Sequence, residues 1–277
     1  MTEAAGMTFY VLLSLFPALA AFISIYGLFN DASTLGKQLT RLGGIMPGGG
    51  IDIIKGQITE LTAHGHEALG FASIVSLAIS LWSANSGVKS LFDALNTIYH
   101  EHEKRSFLQR TLISFCFTLG IIGFAVIALS AVVAVPIALN FIGLGSYGFA
   151  FRILRWPFML IVIMTGLAFV CRYGPSRNPA RWQWVSWGSA IAAVSWIFVS
   201  WVFSYYVANF GSYNKTYGSL GAIVGFMTWI WISSIVVLMG AELNAELEQQ
   251  TQRDSTIGAE KPKGTRGAYK ADVKSED

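Results

Sequence analysis

Residues 217–248 read YGSLGAIVGFMTWIWISSIVVLMGAELNAELE, and the reading of this stretch decides the fold. From Thr216 to Ala241 there are 26 residues without a charge, after which come Glu242, Glu246 and Glu248. A helix of about 20 apolar residues crosses the hydrocarbon core of a bilayer, so this run crosses it with some tilt. The carboxylates that follow, on successive turns, carry the same helix out into water. The chain therefore reads as a membrane protein.

Composition widens that reading to the whole chain. Of 277 residues, 53% are hydrophobic and only 13% charged, and the apolar residues are concentrated in uninterrupted runs. This describes an all-α, polytopic membrane helical bundle. The net charge is +3, which gives no global basic field for nucleic acid. Cys116 and Cys171 both fall inside apolar runs and read as free, buried thiols rather than a disulfide. The first basic residue is Lys37, so no basic region precedes the first apolar run, which reads as a span and not as a signal peptide.

Three stretches carry a family resemblance: AAGMTFYVLLSLFPALAAF at residues 4–22, LWSANSGVKSLFDALNTIYH at 81–100, and the stretch at 217–248. In this order they resemble the YihY/BrkB family of bacterial inner-membrane proteins, over roughly residues 4–250. The resemblance implies an inner-membrane, envelope role. Members have been linked with virulence or serum resistance, with lipid or lipopolysaccharide export, and with an older ribonuclease label.

Six spans follow from the runs, at about 7–29, 68–88, 111–134, 153–171, 184–207 and 220–241, in a membrane domain of residues 1–250. Pro17 should kink the first span and free carbonyls for Ser14 or a neighbouring helix to satisfy. Ile51, Ile54, Ile58 and Leu61 recur at helical spacing and predict an amphipathic surface helix between spans one and two. The run from Thr111 to Phe151 holds 41 uncharged residues. Pro136 and the glycines at 143, 145 and 148 break it, which predicts one span and an interfacial loop. With both termini cytoplasmic, thirteen of the nineteen Lys and Arg residues fall inside, as the positive-inside rule requires. Residues 251–277 are rich in charge and poor in apolar groups, the composition of a disordered cytoplasmic tail.

The motifs that suggest chemistry are better read as structure. Gly143-x-Gly145-x-x-Gly148 lacks the strand and helix a dinucleotide fingerprint needs and is expected to be a loop. His64/His66 and His100/His102 fall on opposite sides of the membrane in this topology, so they cannot form one metal site. Glu242 and Glu246 form an i, i+4 pair that metal-assisted phosphodiester cleavage would need, but no basic, aromatic-interleaved groove accompanies them. Gly221-x-x-x-Gly225 reads as a close helix contact. No catalytic residue, metal site or cofactor is expected, and the chain is not read as an enzyme.

What remains is polar groups at membrane depth. Asn85, Lys89, Asp93 and Asn96 lie on one helical face, where Lys89 and Asp93 can pair as i, i+4. Glu242, Asn244 and Glu246 lie at the matching end of span six. Such groups are costly beside lipid unless they face protein, water or one another. Either they form a polar vestibule for a headgroup or small solute, or they clamp the inner ends of spans two and six together. The corresponding functions are a transporter or flippase of a lipid or amphiphilic envelope component, and a non-transporting scaffold in envelope biogenesis, with a membrane-bound ribonuclease third. The expected partners are membrane lipids, with a homo-oligomer or an envelope protein as the protein contact and no nucleic acid.

Overall fold

The computed structural model describes residues 1–27, 56, 71–141, 148–210 and 219–273. Six long helices dominate it: α1 (Thr2–Gly27), α2 (Phe71–Ile98), α3 (Phe107–Phe141), α4 (Gly148–Tyr173), α5 (Trp182–Phe210) and α6 (Ser219–Gln250). A single turn, α7 (Tyr269–Asp272), follows. Among the described residues there is no strand, only an isolated antiparallel bridge between Ala180 and Thr256. In hydrocarbon a backbone amide has no water to bond, so apolar runs of this length close their hydrogen bonds within the helix. Hydroxyls on these helices are handled the same way. Thr8, Ser189 and Ser234 each donate to the carbonyl four residues back, on Ala4, Val185 and Ile230.

Among the described residues four stretches are long and apolar enough to cross a membrane: Thr2–Ile23, Phe107–Ile127, Trp182–Val207 and Ile223–Gln250. Leu160–Tyr173 within α4 is a shorter apolar stretch. The outside of the bundle is correspondingly apolar, with Ile79, Ile127, Trp187, Phe198, Trp201 and Met239 all exposed. In a protein surrounded by water this much contiguous apolar surface would be a liability; against lipid it is solvated.

The helices pack as α1 on α2, α2 on α3, α4 on α5 and α5 on α6, with α1 and α2 also touching α6. Two contacts are backbone-close. A Cβ on Gly87 of α2 would come 2.5 Å from Oγ of Ser14 in α1. A Cβ on Gly240 of α6 would come 2.5 Å from that of Ala192 in α5, and one on Gly188 would run into the Gly240 carbonyl. At Gly225, one half of the expected GxxxG contact, nothing lies within 4 Å of a Cβ. Small residues do seat α6 against α5 about four turns later, at Gly240.

Two expectations about the chain's course need correcting. Pro136 does not end α3, which continues to Phe141; residues 142–147, on which the rest of the expected break falls, lie outside the described residues. Proline removes one hydrogen bond, and in an apolar setting the remaining bonds hold the helix through it. Ser14 satisfies the carbonyl of Val11 at 3.0 Å rather than one freed by Pro17. The amphipathic helix expected over 51–61 (Gly56 apart), His64 and His66, and most of the glycine fingerprint also lie outside the described residues.

The largest correction concerns the tail. Residues 251–273 are ordered against the bundle, where composition predicts disorder. Apolar burial, the usual requirement, is replaced by three polar hubs. Arg266 is buried and gives its guanidinium to four backbone carbonyls, of Gln252, Arg253, Lys261 and Ala271, at 3.0–3.1 Å. Asp254 collects the Thr256 amide and hydroxyl and the Lys261 amide at 2.7–2.9 Å. Asp272 collects the amides of Gly264, Arg266 and Gly267. Between them, carbonyls and amides that would otherwise need water are satisfied internally.

Candidate functional site

The start of α1, the ends of α2, α4 and α6, the starts of α3 and α5, and the tail all meet at one end of the bundle. Leu95 and Tyr99 of α2's end share a core with Cys171, Ala180, Val185, Ala241 and Ala245, while Ala4 packs with Ala94 and Leu238. Cys116 and Cys171 are both free; Cys171 is buried in this core and Cys116 is exposed. The contact between spans two and six is thus present, and the polar groups sit around it.

On α2, the four polar residues point mainly into protein. Asn85, 1% exposed, accepts from the Thr118 hydroxyl of α3 at 3.1 Å. Lys89 donates to Thr111 at 3.1 Å and lies over the rings of Trp82 and Phe107. The expected Lys89–Asp93 pair is not made. Asp93 instead takes both carboxylate contacts from Arg110 Nη2 at 2.7 Å, because the first turn of α3 brings a guanidinium within reach. Asn96 bridges two segments: its Oδ1 accepts the Ser176 amide at 2.7 Å and its Nδ2 donates to Glu103 at 3.1 Å.

Helix α2 ends in a left-handed turn at His100 (φ 53°), with the Glu101 amide reaching back to the Asn96 carbonyl at 2.8 Å. That turn aims the loop 101–106 across the bundle end. Glu103 accepts from Arg105 Nε and Nη2 at 2.7 and 2.8 Å, and Arg105 also donates to the Gly174 carbonyl. Burial alone would raise the Glu103 pKa; the Arg105 hydrogen bonds and charge outweigh it and hold the carboxyl down at about 2. Glu103 is therefore ionised at any physiological pH. A cavity of about 560 Å³ opens here, lined by Asp93, Asn96, Thr97, His100, Glu101, His102, Glu103 and Tyr269. Tyr269 belongs to the tail: its ring lies 5.4 Å from His100 and its amide donates to Glu101 at 2.6 Å.

On α6 the three predicted residues separate. Asn244, 1% exposed, accepts the Gly188 amide at 2.8 Å and donates to the Val185 carbonyl at 3.2 Å, which fixes α5 to α6. Glu246 accepts from Lys270 of the tail at 2.6 Å, and Glu242 is exposed. The α2 set and the α6 set thus do not converge on one vestibule. Asp93 and Asn96 line the cavity; Asn85 and Asn244 are spent on helix contacts.

The strongest feature of this end escapes a sequence reading. Glu248, 1% exposed, pairs with the fully buried side chain of Arg177 at 2.5 Å and accepts from Ser255 of the tail at 2.5 Å. Arg177 also lies 4.1 Å from the Tyr99 ring centroid. Burial pulls the guanidinium pKa down, but Glu248, with Tyr99 and Glu101, more than offsets it, so Arg177 stays charged. Next to it, Arg181 donates to the Thr256 carbonyl at 3.0 Å and Asn178 to that of Arg266 at 2.6 Å. A signal was present in the spacing: Ala241, Asn244, Ala245 and Glu248 recur at three and four, which marks them as one face of α6, away from Glu242 and Glu246.

Comparison with known proteins agrees with a membrane protein. The chain is 28% identical to the ribonuclease-like protein YfkH of Bacillus subtilis, over 90% of this chain and 90% of that relative. It is 29% identical to the UPF0761 membrane protein PBPRA3489 of Photobacterium profundum, over 93% and 80%. It is 28% identical to a UPF0761 membrane protein of Pseudoalteromonas atlantica, over 89% and 81%. No solved structure matches. The family described as Virulence factor BrkB matches residues 1–265, and with nearly the whole chain covered, this multi-pass membrane protein belongs to that family.

Proposed function

We propose that the protein crosses the bacterial inner membrane six times, with both termini cytoplasmic, and transports or flips a lipid or amphiphilic envelope component. The observation that carries this reading is the cavity at the polar end. It combines the ionised Glu103 with Asp93, Glu101, two imidazoles and Asn96, beside helices whose outer faces are apolar. A polar headgroup would sit among these groups while its chains stay in lipid. The meeting of both described chain ends at this one end supports an even number of crossings, and the excess of Lys and Arg around it supports a cytoplasmic location.

A second reading has its own observation. Asn85, Asn96 and Asn244 each bond a second segment, as a clamp would, and this favours a non-transporting scaffold that meets partners through its loops and tail. In neither reading is the protein an enzyme. Glu246, half of the carboxylate pair that phosphodiester cleavage would draw on, is engaged by Lys270.

The test is a flipping assay with purified protein in liposomes, using labelled anionic phospholipid and a labelled lipid A precursor. Wild type should flip one of them above empty vesicles, and Asp93→Asn, at an exposed position, should slow it several-fold while remaining folded. Folded protein that flips neither would sink the transport reading and leave the scaffold.

A further inference from the structure

Arginines at the polar end are consistently partnered. Arg105 bonds Glu103, Arg110 bonds Asp93, Arg177 bonds Glu248, Arg181 a carbonyl, and Arg266 four carbonyls. Idle nitrogens remain on two of these, Nε of Arg110 and Nε and Nη2 of Arg177, but each of those guanidiniums holds a carboxylate through another nitrogen. Arg172, in the last turn of α4, holds none among the described residues. It is only 8% exposed, yet its Nε and Nη1 are buried and donate to nothing among the described residues. Its neighbours are rings: the guanidinium lies 4.3 Å from the Trp182 ring centroid and 5.2 Å from that of Tyr173.

These rings belong to a small cluster at the edge of the bundle. Phe169 contacts Tyr173 and Trp182 at 5.9 and 5.0 Å between centroids, and Tyr173 contacts Trp182 at 6.5 Å. All three are exposed, and so are Ile161 before them on α4 and Trp187, Ile191 and Val194 on α5. The cluster therefore stands where the apolar outer face of α4 and α5 reaches the polar end, the depth at which amphipathic aromatics mark a membrane–water interface. A buried guanidinium with two idle donors costs free energy unless an acceptor completes it. Lying over an indole, it keeps its donors for an oxyanion.

We propose that Arg172, framed by Phe169, Tyr173 and Trp182, binds the phosphate of an anionic membrane phospholipid. The guanidinium donates to the phosphate oxygens, and the exposed rings pack against the glycerol and first methylenes of the chains. Soluble phosphate offers the same oxyanion but nothing for the rings to cover. The site is independent of the transport reading, because it concerns occupancy and not movement across the membrane.

The experiment measures binding to purified full-length protein by native mass spectrometry and by the shift in thermal unfolding midpoint. The probes are dioctanoyl phosphatidylglycerol, dioctanoyl phosphatidylcholine and inorganic phosphate. Wild type should bind phosphatidylglycerol preferentially, and Arg172→Gln should weaken that binding at least about tenfold, the loss of one charge-assisted contact. Arg172→Lys keeps the charge without the stacked fork and should fall between them. Trp182→Leu, which leaves Arg172 in place, should weaken the lipid and not inorganic phosphate, and it reports on the site even if Arg172→Gln fails to fold. Equal binding of both lipids by wild type, or unchanged phosphatidylglycerol binding in folded Arg172→Gln or in Trp182→Leu, would overturn the proposal. Arg172-dependent binding of inorganic phosphate as tight as that of phosphatidylglycerol would overturn the lipid assignment.

Discussion

Helices α5 and α6 are joined in two ways along their length. Through the apolar part, Gly188, Ala192 and Gly240 bring the backbones together, and two indoles each donate to a serine across the gap, Trp196 to Ser233 at 3.0 Å and Trp229 to Ser200 at 3.3 Å. At the polar end, the segment leading into α5 meets the end of α6 through a buried ion pair, Arg177–Glu248, capped by Ser255 of the tail. The difference follows the solvent. Where lipid lies outside, a charge would have no hydration to fall back on, so small residues and neutral donors do the joining. Where water is near, charges can be brought in and paired, and the pair then depends on both partners being present.

That contrast can be broken most severely at Glu248. Glu248→Leu leaves Arg177 buried without its carboxylate and should cost about 3–5 kcal/mol, seen as loss of monodisperse protein in detergent and a lower unfolding midpoint. The double change Arg177→Met with Glu248→Leu should recover most of the loss. A double variant no better than the single one would show that the pair does not hold this end together.

Next in size is Gly188→Val, which drives a side chain into the Gly240 carbonyl and Asn244. Overpacking of this kind costs about 1–3 kcal/mol, and the same midpoint measurement reads it. An unchanged midpoint would mean that α5 and α6 can separate freely at their closest contact.

Acid should sharpen the comparison further. The Glu103 pKa lies at about 2 in the folded protein against an ordinary 4.5, so its contribution is complete above the ordinary value and is lost as pH falls towards 2. Amide exchange around Gly174 and Ser176, which depend on Arg105 and Asn96, should therefore rise between these limits, while amides beside Ser233 stay protected. Equal loosening of both regions would argue against a separate electrostatic end. The smallest effect expected is that of Trp196→Phe, which removes one neutral interhelical bond worth about 0.6 kcal/mol; a loss as large as that of Glu248→Leu would erase the distinction.

Much of the site was half-legible. Asn85 and Asn244 announce themselves because an amide in an apolar run must be bonded, and both are. Their partners, the Thr118 hydroxyl and the Gly188 amide, are common groups with nothing in the sequence to mark them. Lys89 and Asp93 stand at pairing distance on one helix, yet Arg110 takes Asp93, since a partner from a neighbouring helix competes on equal terms with one four residues away. Glu248 was obscured by Glu242 and Glu246, whose spacing suggests a carboxylate pair although they lie on the other face.

The sequence by itself determined the membrane class, the long helices and the polar character of one end, because burial of apolar runs in lipid depends on length and composition and hardly on what lies next to them. Only the tertiary structure decided which polar groups meet. It showed the tail folded rather than free, since Arg266, Asp254 and Asp272 order it through backbone groups of distant residues that no local pattern records. It also set Arg172 apart from Arg110 and Arg177, which keep idle nitrogens too but hold a carboxylate, a property of its surroundings and not of its place in the chain.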